Sequence, residues 1–404
     1  MIKEIQGGVC AAKGFSAAGV HCGIRKNKTK RDLALIVSET RASAAAVYTQ
    51  NLVKGAPLLV TKENLADGYA QAVICNSGNA NTCNANGIEL AQAMCALVQQ
   101  HTKAAAADVI VASTGVIGQT LDITPIADGM AALSAALSAD GTHAAQAIMT
   151  TDTVEKEAAV EVVLGGKTCR IGGIAKGSGM IHPNMATLLG FVTTDAAITP
   201  ALLQKALSAV IADSFNMVSI DGDTSTNDMV SILANGAAGN ALIDAENADY
   251  ALFVQALRSV TVKLSRMIAG DGEGATKLLE CHVYGAADAA TAKAAAKAVI
   301  SSSLLKSAMF GADANWGREM AAMGYSGAEF NPLGVDMAFC SQAGRVEVCA
   351  NGVTLPFDEA AAKKILSERE VIIDITLHDG DGIAEAFGCD LSYDYVKING
   401  DYRS

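Results

Sequence analysis

Thr187 lies in the stretch HPNMATLLGF, residues 182–191, just after the glycine-rich run AKGSGM. A threonine hydroxyl is a weak nucleophile unless a base takes its proton. One solution uses the nucleophile's own α-amine, freed when the chain is cut before it. A free α-amine titrates at about 7.7–8.0, near enough to neutrality to act as a general base without a histidine. The hydroxyl makes such a cut itself, attacking the preceding carbonyl and shifting the acyl group from nitrogen to oxygen before water releases it. Small Ala186 leaves that carbonyl accessible, Gly177 and Gly179 allow close backbone approach, and Pro183 stiffens the segment. An isolated Ala-Thr pair before an apolar run is far more often the start of a buried strand, so on these residues alone both readings stand.

Other fragments that look chemical fail on spacing. EVVLGGKTC has Gly-Lys-Thr, but Glu161 stands where a phosphate loop needs its first glycine. DGDTSTND, from Asp221, resembles a calcium loop until Thr226 and Ile232 occupy the positions that require Gly and Glu. KGSGM has Lys176 at the first glycine of a nucleophile elbow. Ser303 and Lys306 form a short S-x-x-K without a K-T-G. The six histidines show no metal-binding spacing, so no metal or cofactor is expected.

The elements that must carry any site are mixed. RDLALIVSE, QAVICNSG and DVIVASTGVIG are short apolar runs bounded by turn residues and read as central strands. Alanine-rich windows at 88–107 and 126–149 read as helices. In TPALLQKALSAVIAD a Thr cap and a Pro at the first helical position start another helix near 199. VYGAADAATAKAAAKAVISSSLLKSAMFG reads as a turn and one long helix, RVEVCANGVTLPF as a hairpin, and EVIIDITLHDGDG as an alternating strand. The expected organisation is an N-terminal α/β domain over 1–198, a middle α/β domain over 199–282 and a C-terminal α+β domain over 283–404.

A net charge of -12 argues against nucleic acid as a partner, since phosphate affinity needs clustered Lys and Arg. The one basic run, RKNKTKR at 25–31, has no aromatic residue for base stacking and reads as a solvated loop. Ten scattered cysteines without a C-x-x-C pair point to reduced thiols and a cytoplasmic protein. No stretch approaches 18 apolar residues, so no membrane span is expected.

GGIAKGSGMIHPNMATLLGFVTTDA, residues 172–196, resembles the self-cleavage segment of the glutamate N-acetyltransferase (ornithine acetyltransferase) family of arginine biosynthesis, the ArgJ family. The same family is matched by GFSAAGVHCGI, VASTGVIG, MTTDT, SFNMVSIDGDTSTNDM, AGDGEGATK, SSLLKSAMFGADANWGR and VKINGDYRS, in order along the whole chain. Leu188 replaces the usual Met after the nucleophile, and GADANWGR lacks a common Pro before its Asn.

The resemblance implies autoproteolysis between Ala186 and Thr187, with Thr187 then carrying acetyl from N-acetylornithine to glutamate by a ping-pong route. It implies Thr114 and Gly115 as an oxyanion hole and Thr153, Lys176, Thr187, Glu273, Asn399 and Ser404 as substrate contacts, with Thr151 the alternative to Thr153. Without it, STGVIG would be a strand-to-turn glycine, Lys176 a surface charge, GDGEG a turn with Glu273 solvated, and the C-terminus a frayed tail. The implied fold is α/β (α+β), a four-layer α-β-β-α sandwich of the DmpA/ArgJ type with a smaller C-terminal α+β domain, assembled as an α2β2 heterotetramer. The residues leave open whether acetyl-CoA is a second donor. A self-processing aminopeptidase or amidase of the same architecture would pass the acyl group to water instead.

Overall fold

A computed structural model describes residues 2–182 and 188–400. It is mixed α/β, with two sheets and eleven α-helices among the described residues. The strands are β1 Lys3–Ile5, β2 Phe15–Val20, β3 Leu33–Tyr48, β4 Tyr69–Asn79, β5 Val109–Val116, β6 Lys156–Leu164, β7 Lys167–Lys176 and β8 Leu189–Thr194. They continue as β9 Val218–Ser219, β10 Met229–Ala234, β11 Leu278–Ala286, β12 Asp336–Ser341, β13 Gly344–Ala350, β14 Val353–Thr354, β15 Glu370–Thr376 and β16 Gly382–Cys389.

The chain divides into two compact units. The first comprises Met1–Gly177, Pro183–Asn216 and Thr224–Leu264, and the second comprises Ser178–His182, Met217–Asp223 and Ser265–Ser404.

In the first unit a nine-stranded sheet runs β1-β6-β7-β8-β10-β3-β4-β5, with β2 added against β3. Its central strands are apolar without a break because both faces are covered. Successive side chains point to opposite faces: Leu33, Leu35, Ala72, Ile74, Val109 and Val111 pack with Met94, Val98, Ile126 and Met130 of helices Gly87–His101 and Thr124–Ala135. The alternate residues Ala34, Ile36, Val73, Cys75 and Ile110 pack with Ala144, Ala147 and Ile148 of helix Thr142–Ile148. Burying each such Leu, Ile or Val is worth about 1.5–3 kcal/mol, so this two-sided core fixes where β4 and β5 end.

In the second unit seven strands run β14-β13-β12-β15-β11-β16-β9. Helix Ala289–Ser301 lies on β11 and β16 and is capped by Asp288, whose carboxylate accepts from the Thr291 amide. The single long helix expected here is two, Ala289–Ser301 and Ser303–Phe310, because Ser302 takes an extended conformation and its hydroxyl caps the second. The expected turn at VYGA is instead the end of β11. The window 126–149 likewise splits into two helices around the loop before Gly141.

Candidate active site

Thr114 and Gly115 close β5 at the C-terminal edge of the parallel β4–β5 pair, where Gly78 and Gly115 are in register. Both glycines have positive φ, +102° and +132°, and a Cβ on Gly115 would lie 2.4 Å from the Gly78 carbonyl carbon. Only glycine allows this backbone-on-backbone approach. The register shifts at the next residue, Asn79, which pairs with both Thr114 and Val116, so the ladder is irregular at this corner.

Side-chain amides hold that corner from beneath. Asn227 Nδ2 donates to the carbonyls of Ala80, at 2.5 Å, and Ser113, at 3.0 Å, while its Oδ1 accepts from Thr82 and Thr226. Asn76 accepts from the Ser113 hydroxyl at 2.5 Å and donates to the Asn79 carbonyl at 2.9 Å. Asn227 and Asn76 are buried. Sequence reasoning passed over Asn227 because it stood in a failed calcium motif; its fit to family segment SFNMVSIDGDTSTNDM was the available signal.

Lys176 is buried at the end of β7, where a surface charge was the alternative. Gly177 donates its amide to Asp152 Oδ1 at 2.7 Å, Thr150 donates to Asp152 Oδ2 at 2.9 Å, and Lys156 Nζ reaches Oδ1 at 2.8 Å. Burial pushes the Asp152 carboxyl up, but the positive charges of Lys156 and Lys176 and these hydrogen bonds outweigh it and hold it at about 2. Asp228 contrasts with it: complete burial drives its carboxyl well above the usual range against the opposing influence of Ser225, Lys176 and Thr49. Two buried ammonium groups therefore face one firmly ionised carboxylate. Asp152 and Lys156 were not singled out from sequence, although they flank Thr153 at a four-residue spacing.

Thr151 and Thr153 both line a cleft of about 590 Å³, so the choice between them stays open. The cleft's other wall is the basic run at 25–31. Lys26–Lys30 are exposed as expected, but the loop faces the MTTDT segment.

In the second unit Glu273 is buried, not solvated. Its amide donates to the Ser178 carbonyl at 2.9 Å, and Asn399 Nδ2 donates to its Oε2 at 2.7 Å. Gly179 packs directly on Glu273: a Cβ there would lie 2.3 Å from the carboxylate, which would have to shift to make way. The expected tail position Asn399 is thus on helix Tyr393–Gly400 and paired with the expected acid. Asp221 receives the amides of Met180 and Ile181, and Met180 is held at φ +56°. His182 bonds Ser219 Oγ through Nδ1 at 3.0 Å; burial, then the nearby Lys297 charge, lowers its pKa to about 4, against the pull of Asp221.

Ala186, Thr187 and Ser404 lie outside the described residues. No group of three metal-ligating side chains is present among the described residues, and none of their helices is long and apolar enough to cross a membrane.

The sequence model of the ArgJ family matches residues 16–404. The arginine biosynthesis bifunctional protein ArgJ 1 of Clostridium acetobutylicum is 52% identical over 392 residues, 96% of each chain. Among solved structures, the arginine biosynthesis bifunctional protein ArgJ of Bacillus halodurans is 46% identical with a TM-score of 0.50, covering 52% of this chain and 98% of its own. An ornithine acetyltransferase of Mycobacterium tuberculosis, solved with ornithine, is 37% identical with a TM-score of 0.42, covering 46% of this chain and 100% of its own.

Proposed function

The chain belongs to the ArgJ family and is an acetyltransferase of arginine biosynthesis, and from that premise we propose that it moves acetyl from N2-acetyl-L-ornithine to L-glutamate through an ester on Thr187. The Thr187 oxygen attacks the acetamide carbonyl, its proton passes by way of the α-amine to the departing nitrogen, and ornithine leaves. Glutamate's amine then attacks the ester and restores the hydroxyl. Each half passes through an oxyanion, which this reading assigns to Thr114 and Gly115; one preorganised donor is worth about 2.7–4 kcal/mol. Thr153 or Thr151, Lys176, Glu273, Asn399 and Ser404 are the assigned substrate contacts.

The observation that carries the reading is the charge at the Lys176 corner. Lys156 and Lys176 are both buried, and their positive charges hold the buried Asp152 carboxyl down. A buried, cation-lined corner suits an anionic ligand group, and both substrates bring an α-carboxylate. Self-cleavage at Ala186–Thr187 is part of the proposal, as are the α2β2 assembly, a cytoplasmic setting and acetyl-CoA as a second donor. The Bacillus halodurans chain, aligned almost end to end yet covering 52% of this one, supports a cut near mid-chain. Ten free cysteines suit a reducing compartment.

Denaturing mass spectrometry of the purified active protein tests the first step. Two polypeptides meeting at 186/187 are expected, and a single one in Thr187→Ala. An uncut chain in active wild-type protein would refute it, and acetate release without N-acetylglutamate would favour the amidase alternative.

A further inference from the structure

Asp228 is buried and its Oδ2 has no hydrogen-bond partner. Among the described residues it is the one such carboxyl of the first unit, Glu319 being its counterpart in the second. An unmade buried acceptor carries the full desolvation cost of the group, so its position asks for a donor. Ser225 and Thr49 act on the same carboxyl, and Lys176 of β7 is the charge that bears on it, yet burial outweighs all three and keeps it protonated at neutral pH.

Its backbone lies beside the strand that begins just after Thr187. β8 and β10 are parallel with Leu189 opposite Met229, and the Met229 amide donates to the Leu188 carbonyl at 2.9 Å. On the other side the Thr49 amide donates to the Asp228 carbonyl at 3.0 Å. Asp228 therefore occupies the row of Leu188, one covalent step from Thr187, while Lys176 sits in the next row, opposite Leu189. Neighbouring strands lie about 4.7–4.9 Å apart, which puts the backbone around Leu188 within reach of the Asp228 side chain. The preceding residue, Asn227, holds the Ser113 carbonyl at 3.0 Å, next to the assigned oxyanion pair. One dipeptide thus ties that corner to the start of the strand that follows the nucleophile, all within the first unit.

We propose that Asp228 is a positioning residue for the acetyl carrier: its unpartnered oxygen accepts a hydrogen from the α-amine that self-cleavage gives Thr187, turning that amine's lone pair toward the Thr187 hydroxyl. This rests on the acetyl-transfer reading above. A neutral carboxyl suits the task. An ionised one would raise the amine's pKa and hold it as ammonium, useless as a base at neutral pH, whereas a protonated acid accepts through its carbonyl oxygen and leaves the amine uncharged. The hydroxyl proton passes to the amine as the Thr187 oxygen attacks and goes on to the departing nitrogen, while Asp228 keeps its own proton on the other oxygen throughout. In the precursor the same nitrogen is a peptide amide without a basic lone pair, so the cut precedes the role of Asp228.

The test uses the full-length protein carrying Asp228→Leu, an apolar side chain of similar size, and Asp228→Asn, which keeps a neutral acceptor; Asp228→Ala stands in if leucine does not fit. Each is checked for cutting at 186/187 by denaturing mass spectrometry and for a native melting transition, and transfer from N-acetylornithine to glutamate is then followed against pH with the cut protein. Expected for the apolar variant are normal cutting and a kcat lowered roughly a hundredfold with KM within about threefold of wild type. Asp228→Asn should recover most of that loss and leave the acid limb of kcat where wild type has it. Apolar variants that transfer at the wild-type rate overturn the proposal, as does loss of folding in both of them while Asp228→Asn folds, since the carboxyl would then be merely structural. A folded Asp228→Asn that fails to cut overturns it by placing the carboxyl in the earlier step. An acid limb lowered by about one pH unit in Asp228→Asn also overturns it, because wild-type Asp228 would then be ionised beside the amine. Failure of the underlying reading shows separately, as absent transfer from N-acetylornithine in wild-type protein.

Discussion

Two fully buried carboxyls in different units have opposite fates. Asp152 is held at about 2 by two ammonium groups and the amides of Thr150 and Gly177. Glu319, in the first turn of helix Trp316–Gly324, has neither carboxyl oxygen hydrogen-bonded, and burial alone lifts it well above the usual range. A buried carboxyl stays ionised only where compensating charge is supplied, as Lys156 and Lys176 supply it to Asp152. Glu319 has none and is most stable carrying its proton.

Asp152→Asn breaks this contrast most strongly. It removes the carboxylate that Lys156 and Lys176 face and should cost about 3–5 kcal/mol in denaturant unfolding at pH 7. The depressed folded pKa means Asp152's stabilisation is present above the unfolded value near 3.8 and is lost as pH falls through about 2, so the difference should shrink only in acid. Lys156→Met removes one of the two ammoniums and should cost less, roughly 2–3 kcal/mol, because Lys176 and the amides still serve Asp152. A loss as large as that for Asp152→Asn would mean that Lys176 contributes nothing there.

Glu319→Met should move the other way. The raised folded pKa gives a contribution present below the unfolded value of about 4.5 and lost as pH rises toward the folded value. The variant should therefore gain on wild type with rising pH, by about 1–2 kcal/mol at neutrality, and a pH-independent difference in thermal scans would sink the assignment. Asn399→Ala sharpens the comparison with a third buried carboxyl, Glu273, whose side-chain partner is a neutral amide. Losing about 1 kcal/mol there should raise the N-acetylornithine KM roughly fivefold with little change in kcat.

Much of this was legible in the residues. QAVICNSG and DVIVASTGVIG became β4 and β5 because two-sided burial writes an uninterrupted apolar run. Helix Pro200–Ala212 begins at the predicted Thr199 and Pro200, although the Thr199 side chain caps nothing. The Ser302 break was missed because alanine propensity runs on both sides of a single extended residue. The burial of Lys176 and Glu273 was illegible as well, since each depends on partners distant in sequence or hidden in unremarkable segments: Asp152 for one, Asn399 for the other. Nor does composition mark the division between units, which falls inside helix Ala248–Gly270.

The order of the nine-stranded sheet has a kinetic consequence. β7 precedes the Ala186–Thr187 bond and β8 follows it, yet they pair antiparallel, and β10 from the later part pairs with β3 from the earlier. A cut there would leave two polypeptides woven through one sheet, inseparable without dismantling its centre. The precursor would fold as one molecule at a rate indifferent to concentration, whereas the cut protein, once denatured, would have to reassemble from two pieces. Its refolding would become second order, so processing would act as a one-way latch: easy to close once, and slow to rebuild in dilute solution.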